Sequence, residues 1–182
     1  MFQLSLVDHI RLSFGAIVSA YEGHSDAAAR LSRWSWGAKV GILALLGITA
    51  AVSVGAVMRG GLYTMASAAL SAIAFAAAAA FVAFDPETRV YGHRTTAARL
   101  WVICEKYRAL LAEIHDQLLD LPAVAQRRDA LLKEAAELFV QAPPADRATY
   151  EIARKTLGQV YSDQEVDRFL PLSLRRPTGA TT

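Results

Sequence analysis

From Val40 to Phe84 the chain carries one charged side chain, Arg59. The remaining 137 positions hold 35 of the 36 charged residues. Arg59 splits the apolar stretch into two uncharged runs, Val40–Met58 of 19 residues and Leu62–Phe84 of 23. A helix needs roughly 20 apolar residues to cross a bilayer, and both runs qualify. Only Arg59, Gly60 and Gly61 stand between them, so the two helices must turn tightly and run antiparallel. A soluble fold of 182 residues would rarely bury two such runs side by side. The pattern predicts an all-α membrane protein built on a two-span hairpin, with spans at about 38–58 and 62–84.

The average composition, 54% hydrophobic and 20% charged, mixes this hairpin with an ordinary charged region. It excludes a disordered chain. A net charge of +2 excludes nucleic-acid binding driven by bulk charge. Cys104 is alone, so there is no internal disulfide framework. Asp8, His9 and Arg11 come early and no apolar block precedes a cleavage site, which argues against a signal peptide.

Basic residues near spans set orientation. Arg30, Arg33 and Lys39 precede the first span, Arg89, Arg94 and Arg99 follow the second, and the turn has Arg59 alone. Both termini are expected in the cytoplasm and the turn outside. Lys39 is placed to snorkel to the interface, with Trp34 and Trp36 at the level of an aromatic belt.

Two features of the spans concern function. Gly47, Ala51 and Gly55 lie four apart, a small-residue face that lets helices approach closely. Thr49 and Ser53, and Thr64, Ser67 and Ser71, form a polar stripe on each span. The stripe reads as a pore lining, or as hydroxyls bonded to their own helix or across helices. Two spans cannot enclose a pore, so a channel needs several copies.

Heptads flank the hairpin on both sides. Before it the apolar seam is Val7, Ile10, Phe14, Ile17, Tyr21, His24, Ala28 and Leu31. After it come Val90, His93, Ala97, Leu100, Cys104, Tyr107, Leu111, Ile114, Leu118 and Leu121. Such seams are coiled-coil-like and predict a helical bundle outside the membrane. Asp85 and Pro86 suit the cap and first turn of the second helix. Both seams contain His-x3-Ala-Ala-Arg-Leu, as His24–Leu31 and His93–Leu100. Each histidine replaces an apolar seam residue. Because the hairpin folds back, the two seams can face each other at similar height. Three readings stand: the histidines fix pairing register, they form a ligand pocket with Arg30 and Arg99, or they switch with pH. No carboxylate or cysteine shares the spacing that a metal site would need.

Pro122 is expected to end the long helix after Leu121. Val124–Val140 is amphipathic, with Val124, Leu131, Leu132, Ala135, Leu138 and Phe139 on one side. After Pro143 and Pro144, Ala145–Tyr161 is predicted helical. Ser162 and Glu165 form a capping box for Asp163–Leu170, and residues 175–182 form a loose tail. From Asp85 onward 14 basic residues balance 14 acidic ones. The expected organisation is an N-terminal amphipathic helix over 1–35, the hairpin over 36–84, a helical region over 85–174 and the tail. No phosphate loop, nucleophile elbow or paired-cysteine motif is present, so nothing specifies an enzyme or a cofactor.

The layout resembles the SLATT family, small two-span proteins of prokaryotic conflict systems. The likeness is carried by the hairpin set between the histidine-bearing helix Tyr21–Leu31 and DPETRVYGHRTTAARLW, Asp85–Trp101. It continues through the helix that follows and into APPADRATYEIARKTL, Ala142–Leu157, and YSDQEVDRFLPLSLRR, Tyr161–Arg176. The resemblance implies a membrane effector of the prokaryotic inner membrane, a homo-oligomer that forms pores or disrupts the bilayer during antiviral defence. It further implies triggering by a nucleotide signal or a partner sensor protein, and it brings no catalytic residues. The alternative is a membrane-anchored scaffold whose bundle recruits a cytosolic partner.

Overall fold

The structure is a computed structural model and describes residues 5–144. The helix expected over Ala145–Tyr161, the capping box of Ser162 and Glu165 with its helix Asp163–Leu170, and the tail over 175–182 lie outside the described residues. The described residues form four helices and no strand: α1 (Leu6–Arg59), α2 (Leu62–Phe84), α3 (Pro86–His115) and α4 (Leu121–Gln141).

α1 is a single helix of 54 residues. No proline interrupts it, and it continues through the point where the sequence turns from charged to apolar. The N-terminal helix and the first span, expected as neighbouring segments, are one element. α1 stops at Arg59 because Gly60 and Gly61 both take left-handed backbone, with φ of 62° and 58°. Glycine adopts that conformation at little cost. α2 ends at Asp85, whose φ is 44°, and Pro86 opens α3 one residue later. The Asp85 side chain accepts from the Thr88 amide, so one residue closes α2 and caps α3.

α3 ends earlier than the seam spacing suggests. It stops at His115, and Leu118 and Leu121 are exposed. Gln117 adopts φ 55°, the Leu118 amide donates to the Glu113 carbonyl, and the Gln117 amide donates to Ile114. This pair of bonds is a Schellman termination with glutamine at the position usually held by glycine. Pro122 has another role than the one its sequence position suggests. It does not end a helix but lies in the first turn of α4, where its missing N–H costs nothing. Asp120 caps that helix by accepting from the Ala123 amide at 3.0 Å.

The chain divides into two compact units. One comprises residues up to Ala27 together with those from Gly92 onward, and the other is Ala28–Tyr91. In the first, Ile10, Phe14, Ile17 and Val18 of α1 share one core with Leu100, Ile103, Cys104, Tyr107, Leu110 and Leu111 of α3. Val124, Leu131, Ala135 and Leu138 of α4 complete it. Leu132 and Phe139, placed on that side from sequence, are 37% and 46% exposed. They sit on the flank of α4, beyond the reach of the core. Val7 is likewise only partly covered at the start of α1. Ion pairs Lys106–Glu134 and Arg127–Glu113, with Arg99–Gln141, tie α3 to α4 across their outer face.

In the second unit, the apolar part of α1 packs along α2. Ala38, Ile42, Leu45, Thr49, Val52 and Ala56 are the less exposed positions of α1, at alternating spacings of four and three. Ser67, Leu70, Ala74, Ala77 and Phe81 answer from α2 at the same spacing. This is the geometry of a left-handed coiled pair. Ser53 and Gly55 are also partly covered, while large apolar side chains on the other faces point outward: Leu43 is 67% exposed, Val57 90% and Phe75 77%. Two helices buried inside a soluble protein would not look like this. Both are long and apolar enough to cross a membrane.

Candidate functional site

Two places in the molecule gather the residues singled out from sequence, one in each unit. In the first unit, the Nδ1 atoms of His24 and His93 lie 2.9 Å apart. The ring centroids are 5.1 Å apart and tilted by 40°. Both side chains are buried, on the seam between α1 and α3. A neutral imidazole has one N–H and one acceptor nitrogen. The contact is therefore a hydrogen bond only when one ring carries its proton on Nδ1 and the other on Nε2. Two imidazolium rings would point two protons at each other. Burial, and then the neighbouring His93, push the His24 pKa below its ordinary 6.5.

The seam has an aromatic shoulder. Tyr21 lies 5.5 Å from Trp101, and the Arg108 guanidinium sits 5.1 Å from the Trp101 ring centroid. Arg99 does not join the histidines. It is exposed and donates to Gln141 of α4 at 3.1 Å. Each arginine lies six positions after its histidine, which turns the two side chains to different faces of the helix. Arg30 lies in the second unit and is partly buried. The pocket reading, which needed Arg30 and Arg99 beside the histidines, has no support from Arg99.

In the hairpin, the Ser67 hydroxyl pairs with Ser53 at 2.7 Å. Ser53 in turn donates to the Thr49 carbonyl, and Thr49 donates to Leu45. Ser53 has spent its proton on the backbone, so Ser67 is the donor between helices. Three of the five stripe residues are thus satisfied within the hairpin. Thr64 and Ser71 are exposed.

The small-residue face is also divided. A Cβ at Gly55 would come within 3.1 Å of the Tyr63 ring, so Gly55 serves packing inside the chain. A Cβ at Gly47 would meet nothing within 4 Å, and Ala51 is exposed. Gly47 and Ala51 are open to whatever surrounds the hairpin.

Sequence reasoning placed the two histidines at similar height but missed two other features. A glycine precedes each one, Gly23 and Gly92, so the repeat is longer than the motif quoted above. A Cβ on Gly92 would come within 3.4 Å of the Pro143 ring, where the chain leaves α4. The second miss is an aromatic cluster of Trp34, Phe81 and Phe84 in the hairpin unit. Its signal was present in the sequence, as aromatic residues at the start of one span and the end of the other.

One protein family, described as SMODS and SLOG-associating 2TM effector domain family 4, has a model that matches residues 6–166. No curated protein matches the chain, and no solved structure does.

Proposed function

The chain belongs to the SMODS and SLOG-associating 2TM effector domain family 4, and on that premise we propose that it works as a homo-oligomer which opens or disrupts a membrane. Membership makes it a two-span membrane effector of a conflict system. The finer reading is ours: a pore-forming or membrane-disrupting assembly in the prokaryotic inner membrane, serving antiviral or abortive-infection signalling. Both termini lie in the cytoplasm. A nucleotide second messenger or a partner sensor protein supplies the trigger, and the chain itself catalyses nothing.

The observation that carries this reading is the open Gly47–Ala51 face. The hairpin's own seam uses other positions, so close helix approach at this face has to come from another copy. Small residues are what membrane helices use for that purpose. The test is Gly47→Leu. Because a side chain there meets nothing within the chain, the variant should insert and fold normally. It should lose toxicity on overexpression and lose leakage from liposomes. A well-inserted variant that stays fully toxic would sink the assembly claim.

One observation favours the second reading, a membrane-anchored scaffold. Thr49, Ser53 and Ser67 spend their hydroxyls inside the hairpin, which is what an anchor needs and a pore lining does not. Purified protein in a planar bilayer separates the two: conductance favours the effector, and silence under candidate triggers favours the anchor.

A further inference from the structure

One end of the hairpin carries an arrangement that neither reading uses. Trp34 stacks on Phe81 with ring centroids 6.4 Å apart and meets Phe84 edge-on at 5.2 Å. Along the spans from this cluster runs a notch of about 290 Å³. Small residues form much of its wall, Ala38 and Gly41 from α1 and Ala77 and Ala80 from α2, with the larger Ile42 and Leu45 beside them. A Cβ added to Gly41 would meet nothing within 4 Å, so the space is open. The Arg89 guanidinium lies 4.3 Å over the Phe84 ring. Among the described residues no carboxylate pairs with it, although Asp85 and Glu87 are close in sequence. Glu87 pairs with Lys39 instead. An arginine held on an aromatic face keeps its fork of N–H donors for another partner.

We propose that this notch is a lipid site, in which an acyl chain of an anionic phospholipid lies between α1 and α2 and Arg89 meets the phosphate. At about 290 Å³ the notch lies at the lower edge of ligand sites, roughly 300 Å³, and takes part of one acyl chain. Basic residues at the mouth of an apolar cleft between membrane helices recognise anionic headgroups. Arginine matches a phosphate with paired N–H donors. A span from a second copy fits less well. The one charge between Val40 and Phe84 is Arg59, at the far end of the span and of the wrong sign to complement Arg89. The proposal rests on the hairpin lying in a bilayer and is independent of pore formation.

The test uses the full chain with Trp36 and Trp101 replaced by phenylalanine, leaving Trp34 as the reporter. The protein is reconstituted with phosphatidylcholine or phosphatidylglycerol whose acyl chains carry bromine, which quenches nearby tryptophan. Phosphatidylglycerol should quench at roughly five-fold lower mole fraction than phosphatidylcholine, the factor one cation contributes at a membrane surface. Arg89→Gln should erase that preference and keep the quenching. Gly41→Leu should reduce quenching by both lipids. Equal quenching in the parent, a preference that survives Arg89→Gln, or full quenching in Gly41→Leu would each overturn the site. Efficient crosslinking between chains through Gly41→Cys in a Cys104→Ser background, with quenching lost, would assign the notch to a second copy and also overturn it.

Discussion

His24 and His93 meet nitrogen to nitrogen at 2.9 Å, each contributed by a copy of the same short motif on an antiparallel helix. The contact holds one proton between two acceptors. It is complete when the pair is neutral and self-repelling when both rings are charged. A polar pair of this kind on an otherwise apolar seam suits one register, because a slip breaks the bond between two buried nitrogens.

Acid should weaken the fold through this pair. In the unfolded chain a histidine takes up its proton near 6.5, whereas His24 in the fold resists until a lower pH. Protons therefore favour the unfolded state. The stabilisation is complete above about pH 6.5 and is lost as pH falls through the folded pKa. Thermal unfolding of detergent-solubilised protein between pH 8 and 5 should show a flat upper limb and a fall below it. A profile that stays flat, or matches that of a His24→Leu/His93→Leu variant, would rule the pair out as the origin.

Single and double substitutions should not add. His24→Ala removes the bond to a buried nitrogen of His93, and His93→Ala removes it from His24, at about 1–3 kcal/mol each. The double variant should cost less than the sum, because neither nitrogen is left behind. Unfolding midpoints in denaturant measure this. Additive losses would mean the contact has no energetic coupling.

The polar stripe should divide by exposure. If the assembly conducts, Thr64→Val and Ser71→Ala should change its conductance, since those hydroxyls face outward from the hairpin. Ser67→Ala should leave conductance alone and lower hairpin stability by about 0.6 kcal/mol, the usual worth of a hydrogen bond between membrane helices. Single-channel recording reads the first effect and denaturant unfolding the second. Conductance that follows Ser67 alone would reverse the assignment.

Gln117→Gly should stabilise the protein. Glutamine in left-handed backbone costs about 1 kcal/mol relative to glycine, and the termination bonds are kept. A rise in the unfolding midpoint is expected, with no change in assembly. A fall would mean that the glutamine side chain contributes more than its backbone costs.

Much of this architecture could be read from residues. The uncharged runs fixed both spans, the double glycine fixed their turn, and seam spacing identified Phe14, Leu100, Cys104 and Tyr107 as core. The end of α3 could not be read, because leucines at 118 and 121 continue the heptad and glutamine gives no warning of a left-handed turn. The outward tilt of Leu132 and Phe139 depends on where α4 meets α3, which spacing along one helix does not encode. The histidines were legible as seam residues. Their direct contact depended on the register of two helices, and so did the separation of Arg99 from them. The satisfied serines needed the partner helix to be in place.

The unbroken run of α1 has a mechanical consequence. A helix kinks at proline, at glycine or serine pairs, or where its hydrogen bonds are interrupted, and α1 continues from Leu6 to Arg59 without a stop. Within the hairpin unit, an advance of α1 by one residue past α2 would turn it by about 100° and move it about 1.5 Å along its axis. Gly47 and Ala51 would then swing to a different neighbour, with the helix's own backbone bonds intact and the Ser53–Ser67 bond to α2 broken. One step of register between the two spans would thus exchange an internal hydroxyl pair for a new neighbour at Gly47.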